Sequence, residues 1–239
     1  MATLAEDRMH PLVRERLFFF VMALAIAATV VTGFSFNVAM GRSTFASPWW
    51  VHVHGITFMG WMGIYLAQNY LIWSGQTSQH RRLGRFAAFY VCWMVAVGLT
   101  VNTLAAINHR IPFFFEPNVF LVMDWTIVLT FAALTLSGVR LRDKTDWHRR
   151  LMLCGAILVM TPGSARLMPL PLMGGKVLWG IWATTVPFMA AAAIYDLRTR
   201  GKVHPAYVWG FGAICLAFAL AWPIANTPPL LTLTHHLTG

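Results

Sequence analysis

Apolar runs of about 20 residues recur along the whole chain, and short polar connections separate them. A run of this length, folded as a helix, crosses the ~30 Å hydrocarbon core of a bilayer. Of the 239 residues, 58% are hydrophobic and 11% are charged, whereas roughly a quarter of the residues in a soluble domain are charged. The sequence therefore predicts an all-α polytopic membrane protein without a separate soluble domain.

Seven of these runs are long enough to span the membrane. The predicted transmembrane helices cover residues 17–37, 49–73, 83–107, 118–137, 149–168, 177–195 and 206–224. They divide the chain into a polar N-terminal segment (1–16), a seven-helix membrane domain (17–224) and a C-terminal tail (225–239). The first run is long for the apolar region of a signal peptide, so we expect an uncleaved helix.

Basic residues are unevenly distributed between the two sides of this topology. The net charge is +10, and most of the lysines and arginines lie at the N-terminus and in the second-to-third, fourth-to-fifth and sixth-to-seventh connections. The other side has Arg42, Arg110, Arg166 and Lys176. The positive-inside rule then places the N-terminus in the cytoplasm and the C-terminus in the periplasm, in a bacterial inner membrane. Because this distribution accounts for the net charge, we expect no nucleic-acid partner.

A short motif occurs twice, each time at the start of a predicted span. Residues 80–83 and 148–151 both read HRRL, and His204 lies at the matching place before the seventh span. These positions indicate three similar hairpins, formed by helices 2–3, 4–5 and 6–7, each with a histidine at its inner turn. The alternative is that the inner ends of membrane helices collect basic residues without any duplication.

Polar residues inside the predicted spans are candidate functional residues, because placing them in a bilayer is costly. The topology puts one set of them in the outer half of the membrane: His52, His54, Asn102, Asp124 and Arg166. His109 lies at the outer rim, and Gln68 recurs at helical spacing from His54. His52 and His54 point about 200° apart on a helix, so they cannot both ligate one ion, and we expect His54 to face inward.

Two interpretations of this outer set stay open. In the first, Asp124 and Arg166 form a buried ion pair that stabilises the bundle, and His54 caps the pair through hydrogen bonds. In the second, the same side chains line a ligand pocket that opens to the periplasm and takes a small anionic or amphipathic molecule. The proline-rich outer connection suits an open site, since Pro162-Gly163 should break the fifth helix near its outer end.

On the inner side, His80, His148 and His204 are expected to lie near one another if the hairpins pack around one axis. Three neutral imidazoles can bind a transition metal. Histidine and arginine at an inner helix start are more commonly anchors near anionic lipid, at ~1 kcal/mol for each basic residue. We favour the anchor interpretation.

Residues 54–75 (HGITFMGWMGIYLAQNYLIWSG), 80–85 (HRRLGR) and 146–152 (DWHRRLM) resemble an uncharacterised family of bacterial polytopic membrane proteins. In that family a histidine-bearing helix accompanies an HRxLGR turn and a later DxxHRR turn, which is one residue shorter here. The resemblance covers roughly residues 50–210. It implies the membrane fold and no settled activity.

A more distant resemblance is to b-type haem membrane cytochromes, which hold haem between histidines of a helical core. It implies haem b, with His54 paired with His109 near the outer face and His80 paired with His148 near the inner face. The pattern departs from those cytochromes, because the fourth span has Asp124 where a histidine would be needed. A seven-helix zinc hydrolase is the weaker alternative, since residues 235–236 form the late histidine pair and follow the last span in a flexible tail.

Three functions follow as hypotheses. We favour a haem-binding electron-transfer protein. The alternatives are a protein that binds or transports a small ligand in the outer set, and an accessory subunit that associates with partner subunits or with copies of itself in a larger membrane complex. The chain has no nucleophile–base pair, phosphate-binding loop or dinucleotide fingerprint, so its classification as an enzyme stays open.

Overall fold

The computed structural model describes residues 10–239, and all regular structure in that range is helical. The helices are α1 (Pro11–Ala39), α2 (Trp49–Trp73), α3 (Thr77–Ile107), α4 (Pro117–Arg140), α5 (Thr145–Val159), α6 (Thr161–Ala165), α7 (Val177–Ala183), α8 (Val186–Arg200), α9 (Pro205–Ala225) and α10 (Pro228–Thr238). The prediction of an all-α protein is therefore confirmed.

Five helical segments in this part of the chain are long and apolar enough to cross a membrane. They are α1, α3, α4, the segment Gly174–Arg200 that contains α7 and α8, and α9. The helix α2 has 25 residues, and its apolar sequence is interrupted by histidine, glutamine and asparagine. The helices α5 and α6 follow one another with a single residue between them. The molecule is thus a multi-pass membrane protein.

Large apolar side chains cover much of the outer surface of the bundle. Phe89 is 79% exposed, Ile56 73% and Trp209 71%. Inside, α4 packs against α3, α5 and α9, while α1 packs against α2, α5 and α6. An apolar exterior suits contact with lipid tails. The backbone polar groups are paired within each helix, as a lipid environment also requires.

The fifth and sixth predicted spans are each broken near a proline. The α5 helix ends at Val159 and α6 begins at Thr161, so the break falls beside Pro162-Gly163, where the sequence predicts it. Gly163 also lets α1 approach closely, since a Cβ atom on this residue would lie 2.8 Å from the Cα of Val30. In the sixth span, α7 ends at Ala183 and α8 starts just before Pro187.

The C-terminal residues form a helix where the sequence suggests a flexible tail. Pro228 begins α10, which packs against α3, α4 and α9 and buries Thr234. Asn118 at the start of α4 donates a hydrogen bond to the carbonyl oxygen of Ala225 at 3.1 Å. This bond ties the end of α9 to α4 and fixes the direction in which α10 leaves the bundle.

Candidate functional site

Arg166 interacts through its charge with two other ionisable side chains of the predicted outer set, which come from different helical segments. His54 lies on α2, Asp124 on α4, and Arg166 directly follows α6. Arg166 is close enough to both His54 and Asp124 for their charges to interact. No nitrogen–oxygen distance within 4.0 Å joins Arg166 to Asp124, so the two side chains do not form a contact ion pair.

Arg166 is held by groups around its guanidinium and keeps one donor unused. The guanidinium lies 4.0 Å from the ring centroid of Phe34 on α1, a cation–π arrangement. Its Nη1 donates a hydrogen bond to the carbonyl oxygen of Pro162. Its Nε is shielded from solvent and has no hydrogen-bond partner. The break after α5 therefore positions a cation with an unused donor inside the bundle.

His54 has a similar arrangement. Its ring stacks on Phe58 with 4.4 Å between the ring centroids, and its Nδ1 is shielded from solvent without a hydrogen-bond partner. A buried polar atom without a partner costs on the order of 1–3 kcal/mol. We refer to His54, Asp124 and Arg166 together as the outer site, and its donors and acceptors are not satisfied by one another.

The remaining predicted members of the outer set lie around this site or away from it. Asn102 is half-buried on α3, and none of the side-chain hydrogen bonds in residues 10–239 involves it. His52 is exposed, and its Nε2 lies 3.1 Å from the carbonyl oxygen of Ser47.

His109, the predicted haem partner of His54, makes no direct contact with it. His109 is exposed in the connection after α3, with a positive φ of 50°, and it borders a small cavity beside Thr238 of α10. Neither a ring contact nor a hydrogen bond joins His109 to His54. The loop turns away toward the C-terminal helix, which the sequence pattern does not reveal.

Two predicted inner histidines do meet. The rings of His80 and His148 are 6.1 Å apart at an angle of 82°. The Nδ1 of His148 lies 2.8 Å from the carbonyl oxygen of Gly138, so this nitrogen is the donor and Nε2 is left with its lone pair. We call His80 and His148 the inner pair.

Gln68 belongs to the inner pair and not to the outer site. The carbonyl oxygen of His80 can only accept and the backbone nitrogen of Gly84 can only donate, which fixes the orientation of the Gln68 amide. In this orientation its nitrogen lies 2.6 Å from Nδ1 and 3.1 Å from the carbonyl oxygen of His80, and its oxygen accepts from Gly84 at 2.8 Å. The prediction that placed Gln68 in the outer pocket is therefore wrong. Gln68 is on the same face as His54 but ~21 Å further along the helix.

His204 does not complete a ring of three histidines. Its ring contacts Trp147 with 5.4 Å between centroids, and its Nδ1 accepts a hydrogen bond from the backbone nitrogen of Ala206 at 3.1 Å. Within residues 10–239, no group of three or more histidine, cysteine, aspartate or glutamate side chains is placed to hold a metal ion.

A buried ionic network near the inner ends of the helices is the main feature that sequence reasoning missed. Arg150 on α5 and Asp196 on α8 are both 0% exposed. Nε of Arg150 donates to Oδ2 of Asp196 at 3.0 Å, and Nη2 donates to Oδ1 at 2.5 Å. Glu15 on α1 accepts from Arg149 at 2.9 Å and lies 3.5 Å from Arg150. An acidic residue at the inner end of an apolar span, Asp196, was the available signal.

Asp146, in the first turn of α5, extends this network toward the surface. Burial raises the pKa of its carboxyl group, but the guanidinium groups of Arg149, Arg200 and Arg150 outweigh this effect and hold the pKa below its ordinary value. Arg149 contacts the carboxylate directly, and Arg200 lies 3.2 Å from it. In the inner network each acid is paired with at least one base, and Nε of Arg149 is a shielded donor without a partner, whereas no contact ion pair joins the charged groups of the outer site.

Comparison with family models, curated proteins and solved structures finds no match to this chain. Its function is therefore inferred from its own residues.

Proposed function

We propose that the chain crosses the bacterial inner membrane seven times, with its N-terminus in the cytoplasm and its C-terminus in the periplasm. The five long apolar segments, together with α2 and the α5–α6 segment, supply the seven crossings. The basic connections on one side support the orientation. The contact between His80 and His148, which come from the two HRRL motifs, supports a duplicated hairpin that packs around a common axis.

Within this topology the protein binds a small amphipathic molecule at the outer site. The observation that carries this proposal is that Nε of Arg166 and Nδ1 of His54 are shielded from solvent and unpartnered, although Asp124 is close by. A structural ion pair would have closed on itself, as Arg150 and Asp196 do. Unsatisfied polar groups at membrane depth are costly, and a bound ligand would satisfy them.

The residues define the ligand chemistry. Arg166 offers a charged donor and calls for an acceptor, such as a carboxyl or phosphate oxygen. His54 offers a nitrogen that donates or accepts according to its tautomer, and the carboxyl group of Asp124 accepts a donor from the ligand, such as the hydroxyl of an un-ionised carboxylic acid. Aromatic rings of Phe34 and Phe58 lie against the site. A polar head group on an apolar body, such as a medium-chain carboxylic acid, fits this set.

Decanoic acid is a suitable probe for this site. Isothermal titration of the detergent-purified protein should show binding by the wild type and at least a tenfold loss of affinity in Arg166→Ala, because charge-assisted hydrogen bonds contribute about 1.5–3 kcal/mol. Arg110→Ala, an exposed outer arginine, is the matched control and should bind like the wild type. Equal binding by all three proteins would show that the probe enters elsewhere and would refute the outer site.

Haem-dependent electron transfer stays a second candidate, because the inner pair brings two imidazoles within 6.1 Å of each other. His148 fits as an axial ligand, since the bond to Gly138 leaves its Nε2 free and sets its orientation. His80 does not fit in its present hydrogen bonding, because the amide nitrogen of Gln68 donates to its Nδ1 and the proton is then on Nε2. Haem ligation by His80 requires the Gln68 amide to turn over.

An absorption spectrum of the purified protein, oxidised and then reduced with dithionite, tests this candidate. A Soret band that sharpens on reduction and disappears in His148→Ala would support haem in the inner pair. Exposed His52 provides the control variant, His52→Ala, which should leave the band unchanged. A colourless protein without iron would remove the haem candidate and leave the outer site unaffected.

A further inference from the structure

A long groove runs along the outside of the bundle between α4 and α9. Its volume is about 650 Å³. Its lining is apolar apart from three hydroxyl side chains, and it extends from residue 126 to residue 141 on α4 and from residue 209 to residue 224 on α9. Trp147 and Leu151 of α5 close its inner end.

The length and the lining of the groove indicate what it can bind. The lining residues on each side of the groove span a stretch of 16 residues, which is ~22 Å at the helical rise of 1.5 Å. The groove is open along the outside of the bundle, which faces lipid acyl chains in a multi-pass membrane protein, so its apolar lining accommodates a hydrocarbon chain.

The inner mouth of the groove has the groups that an anionic head group needs. Arg140 lies three residues after the groove residue Ser137 and so continues the groove face of α4 by one turn. It is exposed, and its side chain takes part in none of the ion pairs of residues 10–239. His204 contacts Trp147 at the mouth, and its Nδ1 accepts from Ala206, so its Nε2–H is free to donate.

The charge of the adjacent turn is positive. Arg142 and Lys144 are exposed in the connection between α4 and α5, and they are accompanied by one exposed acid, Asp143. With Arg140, this end of the groove has three exposed basic residues and one exposed acidic residue. Trp147 and Trp209 border the same end, and tryptophan is typical of the membrane–water interface. The mouth therefore lies at head-group depth and attracts a negative charge.

We infer that this groove binds an anionic glycerophospholipid, with one acyl chain between α4 and α9 and the phosphate between Arg140 and His204. A zwitterionic lipid would fill the groove equally well but would bring a cation to a basic turn. This site is separate from the outer site, and it rests on the proposed membrane topology only in assigning the lipid to the cytoplasmic leaflet.

Native mass spectrometry of the detergent-purified full-length protein, titrated with phosphatidylglycerol or phosphatidylcholine, tests the inference. The wild type should retain one phosphatidylglycerol in preference to phosphatidylcholine. Arg140→Gln should lower phosphatidylglycerol binding about fivefold and leave phosphatidylcholine binding unchanged, since one basic residue near an anionic head group contributes an effect of this size. Arg82→Gln, an exposed arginine on the same side, is the charge control.

A second variant tests the groove itself. Ala213→Phe fills the groove from α9 and should reduce the binding of both lipids, whereas Ala190→Phe, on the exposed face of α8, should not. Equal retention of both lipids by the wild type, or unchanged phosphatidylglycerol binding in both Arg140→Gln and Ala213→Phe, would overturn the inference. A dimer that Ala213→Phe dissociates would show that a second copy of the chain occupies this face instead.

Discussion

Replacing Arg150 by alanine should destabilise the protein strongly, because Asp196 would keep a buried charge without its partner. Both side chains are 0% exposed, and two nitrogens of Arg150 hold the two carboxylate oxygens of Asp196 at 3.0 and 2.5 Å. After the substitution, the backbone nitrogen of His204, at 3.0 Å, would be the remaining donor to that carboxylate. Breaking a buried pair by removing one partner costs about 3–5 kcal/mol.

This loss is large enough to measure by heating the detergent-solubilised protein and following the remaining monodisperse fraction by fluorescence-detected size-exclusion chromatography. For a chain of this length, 1 kcal/mol shifts the unfolding midpoint by about 2–4 °C, so we expect a drop of roughly 6–20 °C. Arg82→Ala is the matched control: it occupies the same place in the other HRRL motif but is exposed, and its effect should stay within about 0.5 kcal/mol.

A double variant separates the loss of the pair from the loss of packing. The double variant Arg150→Met, Asp196→Leu removes both charges and keeps apolar side chains in their place. Most of the stability lost in Arg150→Ala should therefore return. If Arg150→Ala lowers the midpoint no more than Arg82→Ala, the reasoning is refuted. It is also refuted if the double variant is less stable than Arg150→Ala. Should Arg150→Ala fail to accumulate, Asp196→Asn gives a milder version of the same test.

Two further predictions concern other parts of the bundle. Gly33→Ala should weaken the contact between α1 and α6, because its Cβ would lie 2.8 Å from the carbonyl carbon of Gly163; Gly55→Ala, which meets open space, is the control, and equal unfolding midpoints would contradict the prediction. The neighbouring arginines lower the pKa of Asp146 in the folded protein. Its contribution to the free energy of unfolding is therefore fully present above the ordinary aspartate pKa of about 3.9, and it is lost as the pH falls through the lowered value. Midpoints measured between about pH 6 and about pH 3 should therefore fall less steeply in Asp146→Asn than in the wild type, and identical pH profiles would count against this role.

Most of the fold is predictable, because apolar runs in the sequence mark the long helices and prolines mark the breaks in them. The sequence predicts a membrane span from its apolar run at 118–137, and α4 (Pro117–Arg140) contains this run and is apolar enough to cross a membrane. The break at Pro162-Gly163 is also visible in the sequence, since proline removes a backbone donor and disfavours the preceding turn. The helix α10 was missed because it is short, and its stability comes from packing against α3, α4 and α9, which no local pattern encodes.

The sites are less predictable, because depth along a helix does not determine which groups touch. Depth alone places His54, Asp124 and Arg166 in one layer, and Arg166 is near enough to each of the other two for their charges to interact. The same reasoning adds His109, which is exposed in the connection after α3 and borders a cavity beside Thr238 of α10. Gln68 shares a face of α2 with His54, yet its partner is His80. One face of a helix contacts different neighbouring helices near its two ends, and the sequence of the helix does not show which.

The ionic network also bears on how the bundle is assembled during synthesis. Glu15 emerges with the first helix, Arg150 with α5 and Asp196 with α8, 46 residues after its arginine partner. While α8 is still being made, Glu15 of the first helix and Asp146 of α5 are the acids available to Arg149 and Arg150. Formation of the buried Arg150–Asp196 pair is thus a late event, and a chain that stops short of Asp196 would leave Arg150 with only the longer contacts to Glu15 and Asp146.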